Sequence, residues 1–148
     1  DADEALKIAA ISHDIDRGIT GILEKDLADY SQIDEFKKQH ALRSAKFITE
    51  ILEKHNYPPD IIAKVKALVE NHEAGGDYEA DVLKDADSIA YFEHNIPGYL
   101  KINNEERTKG KIRFMYKRMS QNAKGLVRTI KYQDKKIEDL VREAIKQC

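Results

Sequence analysis

Three histidines and an aspartate stand where predicted helices should present only apolar side chains. His13, His40, His72 and Asp87 each lie on the apolar stripe of a different helix, and Asp14 directly follows His13. A lone histidine on such a stripe is usually a core residue, because one backbone carbonyl offsets the roughly 1–3 kcal/mol cost of burying a polar group. Four such residues on four helices are explained more simply by one shared partner. For imidazoles and carboxylates, that partner is a divalent metal ion.

The types of these side chains limit which metal is expected. Neutral imidazole and carboxylate suit borderline to hard ions such as Fe, Mn, Zn or Ni rather than soft Cu(I). No cysteine is among the candidates, which excludes a structural thiolate zinc site. Adjacent residues on a helix diverge by about 100°. His13 and Asp14 can therefore share one ion only if it lies between their directions, as at a helix end that faces a cleft.

The elements that must position these residues are helices. Apolar spacings of three and four recur, and alternating strand-like runs are nearly absent. We expect one all-α domain over residues 1–148, a helical bundle. Its predicted helices cover about residues 2–13, 35 or 38 to 54, 59–72, 78 or 81 to 94, 105–122 and 124–147. Residues 19–36 are expected to be irregular with short helical turns, and "EAGGDYEAD" and "NIPGYLKINNEE" to be loops.

Composition gives no reason to expect a nucleic-acid or membrane partner. The chain has 148 residues, 27 acidic and 25 basic, for a net charge of −2, so its charge favours neither a nucleic-acid polymer nor an anionic membrane. No apolar run approaches the roughly 20 residues that span a bilayer. The acidic start does not resemble a secretory signal, and a single cysteine, Cys148, excludes an internal disulfide. We expect a cytoplasmic protein, with a homodimer as the ordinary oligomeric expectation.

Four sequence elements in this order resemble a known family. The His-Asp pair, "HALRSA", "NHEAGGD" and "LKDADSI" are similar to the motifs of the HD-domain superfamily of metal-dependent phosphohydrolases, over roughly residues 5–95. The resemblance implies a helical bundle of the HD type with one or two divalent ions, from among Mn, Fe, Ni, Co, Zn and Mg. It also implies hydrolysis of a nucleotide or another small phosphate ester.

The resemblance implies a role for each candidate. His13 and Asp14 correspond to the central metal pair, and Asp87 to the later metal carboxylate. His40 and His72 match the histidines that, in some members, hold a second ion or contact the substrate phosphate. Asp14 then acts in catalysis by holding the metal.

The chain departs from the family pattern in two places. Family members carry a further metal histidine on a helix before the His-Asp pair, and no histidine precedes His13. Two explanations are left open by the sequence: an N-terminal helix is missing from this chain together with that ligand, or the chain is complete and its site binds metal poorly or is degenerate. In "HDIDRG", Asp16 and Arg17 come before the glycine that usually follows the pair closely, and the sequence assigns neither a role. Asp85 is turned about 200° from Asp87, which predicts helix capping or a supporting hydrogen bond.

Two further residues have alternative interpretations. Arg43 lies one turn after His40, where a guanidinium either clamps phosphate with two hydrogen bonds or forms a surface ion pair. Glu73 adjoins His72 and is either a general acid or base or a loop carboxylate in solvent. The leading functional prediction is a phosphohydrolase. The alternative is a non-catalytic HD module that binds metal or nucleotide as a sensor, and a third is a helical scaffold with structurally satisfied histidines.

Overall fold

The chain folds as α-helices joined by short turns. The structure, a computed structural model, describes residues 2–27 and 29–148, and these ranges contain nine α-helices and no β-strand. The all-α prediction is confirmed. The helices divide into two compact units, residues 1–83 and 84–148. The expectation of one domain over residues 1–148 stays a prediction.

The first unit contains four complete helices: α1 (Glu4–Ser12), α2 (Ile15–Thr20), α3 (Ile33–Lys54) and α4 (Pro59–Asn71). Asp3 caps α1 by accepting a hydrogen bond from the Leu6 amide, and Pro59 begins α4, where a proline loses no helical hydrogen bond. α4 packs against both α1 and α3, and α2 packs against α3. The apolar core of this unit consists of Ala5, Leu6, Ala9, Ala45, Ile48, Leu52, Val65, Leu68, Val69, Ala80 and Leu83.

The segment 19–36 was expected to be irregular, and within it residues 21–27 and 29–32 contain no α-helix. Its first two residues belong to α2, which the sequence did not predict, its last four belong to α3, and residue 28 lies outside the described residues. α2 ends at Thr20 and is capped by Gly21, whose φ of 71° is the left-handed conformation that glycine adopts without strain. Two short 3-10 turns, Glu24–Asp26 and Tyr30–Gln32, follow before α3 begins. α3 starts a few residues earlier than expected and ends at the predicted Lys54.

The second unit has its own core. Helix α5 (Tyr78–Ala90) begins in the first unit and continues through a π-helical turn, Tyr91–Asn95, into α6 (Ile96–Ile102). Three helices complete it: α7 (Glu105–Arg118), α8 (Gln121–Val127) and α9 (Lys135–Ile145). Its buried apolar residues are Tyr91, Phe92, Ile96, Ile112, Met115, Tyr116, Met119, Ala123, Val127, Ile137, Leu140, Val141 and Ala144.

Helix boundaries in the second unit correct the sequence prediction. "NIPGYLKINNEE" was expected to be a loop, yet its first part is α6, because Pro97 lies in the first turn, where a missing amide costs nothing. The predicted helix 105–122 ends at Arg118, since Ser120 caps α8 by accepting from the Ala123 amide. The predicted helix 124–147 is likewise interrupted, and Asp134 caps α9 by accepting from the Lys136 amide.

None of the helices in the described part of the chain combines the length and apolarity needed to cross a bilayer.

Candidate metal centre

His13 and Asp14 form the two-residue junction between α1 and α2. His13 is the C-terminal cap of α1, with its amide bonded to the Ala9 carbonyl at 2.9 Å, and Asp14 precedes the first residue of α2. The predicted helix end at this pair is therefore present. The junction brings the His13 Nε2 atom within 3.9 Å of Asp14 Oδ1.

Three of the five predicted ligands meet in the first unit. One ligand atom from each of Asp14, His40 and His72 lies within 4.8 Å of the other two. His40 Nε2 is 2.8 Å from Asp14 Oδ1, and both histidine side chains are only 1% exposed. Ligand atoms about 2.0–2.2 Å from one ion are at most about 4.4 Å apart, so the present spacing is close to that of a coordination sphere. Two imidazole nitrogens and a carboxylate oxygen fit a divalent ion of the borderline class.

Backbone carbonyls select the protonated nitrogen of two histidine rings. His13 Nδ1 lies 2.9 Å from the Ala10 carbonyl, and His72 Nδ1 lies 2.7 Å from the Val69 carbonyl. A carbonyl can only accept, so each Nδ1 carries the hydrogen and, in a neutral ring, Nε2 carries the lone pair. The two rings pack edge to face with centroids 5.0 Å apart. His13 thus borders the three-residue cluster with its ligand nitrogen already selected.

A buried carboxylate holds the third ring. Asp16 is fully buried, and its Oδ2 is 3.1 Å from His40 Nδ1. Arg43 donates to Asp16 from Nε and Nη2, at 2.9 Å each. Of the two alternatives for Arg43, the ion pair is present, although its partner is a buried carboxylate and not a surface one. The phosphate clamp stays a prediction.

The charges around the cluster favour an ionised carboxylate and a neutral histidine. Burial alone would raise the pKa of Asp14, but the hydrogen bond from His40 and the positive charge of Arg17 hold that pKa well below its usual range. Arg17 Nη1 is 3.0 Å from Asp14 Oδ2. Burial lowers the pKa of His72, and the neighbouring His13 lowers it further. Both shifts favour the charge states in which these side chains bind metal.

Glu73 lies at the edge of the cluster and not in open solvent. Its side chain is 16% exposed, and its carboxylate is 3.3 Å from Lys37 Nζ on α3. Its other oxygen is 3.9 Å from His72 Nε2. The expectation of a solvated loop carboxylate is therefore wrong, since Lys37 covers the group. Its role as a general acid or base stays a prediction.

The two aspartates of "DADS" belong to the second unit. Asp87 lies 3.6 Å from Arg118 Nη2, and its membership in the metal site stays a prediction. Asp85 accepts hydrogen bonds from the Ser120 amide at 2.9 Å and from the Ser120 hydroxyl at 2.5 Å. Because Ser120 is the N-cap of α8, Asp85 has the supporting role near a helix cap that the sequence predicted.

Comparison with known proteins identifies the family. A family model described as a domain of unknown function (DUF4202) matches residues 1–141. The chain is a member of the DUF4202 family. No curated protein and no solved structure matches it.

Sequence reasoning missed three residues of this DUF4202 site, namely Asp16, Lys37 and Arg17, the last of which pairs with Asp14 three residues before it. Asp16 was assigned no role, because its partners His40 and Arg43 are 24 and 27 residues away and become neighbours only when α2 packs on α3. Lys37 was missed for the same reason, since Glu73 is 36 residues away. Two sequence features together could have indicated Asp16. It is an acid two residues after the His-Asp pair, and His40 is followed three residues later by Arg43.

Proposed function

We propose that Asp14, His40 and His72 bind a divalent metal ion, and that this DUF4202 protein is a metal-dependent phosphohydrolase acting on a nucleotide or another small phosphate ester. The observation that carries the proposal is the convergence of these three ligand atoms within 4.8 Å, two of them on buried histidines. The reaction class comes from the similarity of the four ordered motifs to the HD-domain superfamily. A phosphohydrolase agrees with both.

Each of the three side chains would hold the ion through one atom. Asp14 faces the cluster with Oδ1, because its Oδ2 is engaged by Arg17 at 3.0 Å. Asp14 therefore binds the ion through Oδ1, while Oδ2 pairs with Arg17. His40 and His72 each supply one ring nitrogen from a buried side chain. When bound, a divalent ion activates a water near neutral pH and offsets charge on phosphoryl oxygens.

The positive charge of Arg17 beside the cluster suits an anionic substrate. The side chain of Arg17 is 34% exposed, so it is partly open to solvent beside the cluster. A guanidinium in this position can donate to a phosphate while it remains paired with Asp14, since it has five N–H donors. Arg17 thus offers the phosphate contact that was predicted for Arg43.

A second function, binding without turnover, is favoured by the same arginine. Because Arg17 already neutralises Asp14, the carboxylate is a weaker metal ligand than an unpaired aspartate would be. Such a site suits a module that senses metal or nucleotide. The two functions differ in whether a phosphate ester is hydrolysed at the loaded site.

The test measures metal and turnover on the same samples. The purified chain is analysed for bound metal by mass spectrometry and titrated calorimetrically with Mn, Co, Ni and Zn. Hydrolysis is then assayed on nucleoside mono-, di- and triphosphates and on sugar phosphates. The variants are Asp14→Asn and His72→Asn, and His94→Asn is the matched control, because His94 is 75% exposed and lies outside the cluster.

Each outcome assigns a function. Metal binding and turnover that are both lost in Asp14→Asn and retained in His94→Asn support the enzyme. Stoichiometric metal binding without turnover on any ester supports the sensor. Failure of the wild type to bind any of the four metals would overturn the proposed metal site, and with it both the hydrolase and a metal sensor. An Asp87→Asn variant with reduced metal stoichiometry or affinity would add Asp87 to the ligands.

A further inference from the structure

The His40 ring lies between two carboxylates. On one side its Nε2 is 2.8 Å from Asp14 Oδ1, and on the other its Nδ1 is 3.1 Å from Asp16 Oδ2. The ring is 1% exposed. Within residues 2–27 and 29–148, the partner at Nδ1 of His40 is the Asp16 carboxylate and not a backbone carbonyl as at His13 and His72, so side chains decide which of its nitrogens carries a hydrogen.

The choice between the two carboxylates decides whether His40 can bind metal. A neutral imidazole has one N–H, and a metal ion needs the other nitrogen. With the hydrogen on Nδ1 and donated to Asp16, Nε2 presents its lone pair toward Asp14 and His72. With a hydrogen on Nε2, donated to Asp14 at 2.8 Å, the nitrogen that faces the cluster is blocked until an ion takes the place of that hydrogen.

The contacts of the Asp16 carboxylate suit it to accept a hydrogen bond from His40 and not to coordinate a metal ion. Arg43 Nε donates to Oδ1 and Arg43 Nη2 donates to Oδ2, so both carboxylate oxygens are engaged. Thr20 Oγ1 adds a contact of 3.3 Å to Oδ1. The Asp16 amide donates to Ser44 Oγ at 3.2 Å, which fixes the residue against α3. The carboxylate is therefore held in place, with Oδ2 toward the ring.

The geometry points to Asp16 as the positioning residue for the metal ligand His40. Asp16 accepts the Nδ1–H of the ring and thereby keeps Nε2 for the ion, and Arg43 holds Asp16 in the orientation that does so. Carboxylates that orient ligand histidines in this way typically change metal affinity by about 10- to 100-fold when they are removed. This inference rests on the proposed metal binding, but its first test needs no metal.

The first test reads the protonated nitrogen directly. Long-range ¹H–¹⁵N correlation spectra of the metal-free full chain with ¹⁵N-labelled histidine show which ring nitrogen carries a hydrogen. In the wild type we expect a hydrogen on Nδ1 of His40, whatever the charge of the ring. His13 and His72 are internal references, because backbone carbonyls hold their Nδ1–H in every variant. A wild-type His40 with a bare Nδ1 would overturn the inference without any substitution.

Two substitutions at Asp16 then separate hydrogen bonding from charge. Asp16→Leu is close in volume and removes the acceptor, so the ring hydrogen should move to Nε2, facing Asp14. Asp16→Asn keeps one acceptor oxygen and should retain a hydrogen on Nδ1 in a substantial fraction of molecules. The matched control is Glu50→Gln, which removes one negative charge at a side chain 58% exposed on the same helix as His40.

Metal affinity is the second measurement. By calorimetry with Ni or Zn, Asp16→Leu should bind about 10- to 100-fold more weakly than the wild type, Asp16→Asn should be intermediate, and Glu50→Gln should differ by less than about two-fold. If Asp16→Leu does not fold, the wild-type spectrum and Asp16→Asn still decide the question. Unchanged affinity in a folded Asp16→Leu, or equal losses in it and Glu50→Gln, would overturn the inference.

Failure of this inference is distinct from failure of the proposed function. A wild type that binds metal while His40 carries its hydrogen on Nε2 refutes the role of Asp16 alone. A wild type that has Nδ1–H on His40 but binds no metal refutes the proposed function and leaves the orientation of the ring established.

Discussion

Removing the Arg43 guanidinium should destabilise the protein substantially, because it leaves the buried Asp16 carboxylate without its main partner. In Arg43→Met the aliphatic stem is kept and two charge-assisted hydrogen bonds of 2.9 Å are lost. Each such bond contributes about 1.5–3 kcal/mol, so the pair accounts for about 3–6 kcal/mol. The Arg43 side chain is 32% exposed, which places the loss at the lower end, about 3 kcal/mol.

A loss of this size is easily measured. For a chain of 148 residues it corresponds to a decrease in Tm of about 6–12 °C. Urea unfolding followed by circular dichroism gives the free energy directly. Lys46→Met on the same helix is the control, because Lys46 and Glu50 are 3.9 Å apart and their side chains are 74% and 58% exposed. This variant should lose less than about 0.5 kcal/mol of unfolding free energy.

The pH dependence of the loss provides an independent test. Although burial opposes it, the bonds from Arg43 and His40 lower the pKa of Asp16 from its ordinary value. Asp16 therefore stabilises the fold above its unfolded-state pKa of about 3.9, and this contribution disappears as pH falls through the lower folded pKa. The difference between wild type and Arg43→Met should be largest near pH 7 and shrink below about pH 4. A loss under 1 kcal/mol at pH 7 would refute this account of the buried pair.

Three further predictions concern Tyr91, Tyr132 and Arg17. Within the described residues, the buried hydroxyl of Tyr91 has no hydrogen-bond partner, so Tyr91→Phe should raise the free energy of unfolding by about 1 kcal/mol in urea titrations. A destabilised variant would reveal a partner for that hydroxyl. Burial, with a smaller effect of Glu93, raises the pKa of Tyr132 to about 12. The folded state therefore keeps a proton that the unfolded state loses above about pH 10, and stability should fall as pH rises from 10 to 12. Urea midpoints at pH 9 and pH 11 measure this fall, which should be smaller in Tyr132→Phe, and equal slopes would contradict the assignment. Arg17→Gln removes the cation 3.0 Å from Asp14 and should strengthen Ni binding up to about five-fold by calorimetry, whereas weaker binding would mean that Arg17 orients the carboxylate.

Much of the first unit could be predicted from apolar spacing. The predicted bounds of α1 and α4 agree with the structure to within about two residues, because each has an unambiguous cap or proline at its start. α6 could not be predicted this way. The Pro97-Gly98 pair is a strong breaker in isolation, but after the π-helical turn the proline occupies a first turn, where it is tolerated.

The candidate site was predictable only in part. His40 and His72 were found because they interrupt apolar stripes, a property of one helix at a time. Asp16 lies on a six-residue helix, too short to show a stripe, and its burial depends on how α2 packs against α3. Such a residue is recognised only from its distant partners, which a single sequence does not pair.

The ends of α1 and α4 fix the positions of two histidine rings at the cluster. His13 and His72 each occupy the position after the last residue of a helix, and each is tied to the carbonyl three residues earlier. An insertion of one residue before that cap would turn the ring by about 100° and carry its anchor along with it, so neighbouring side chains could not compensate. Transplanting this arrangement into another scaffold therefore requires whole helix termini, main chain included, and not merely the right imidazoles.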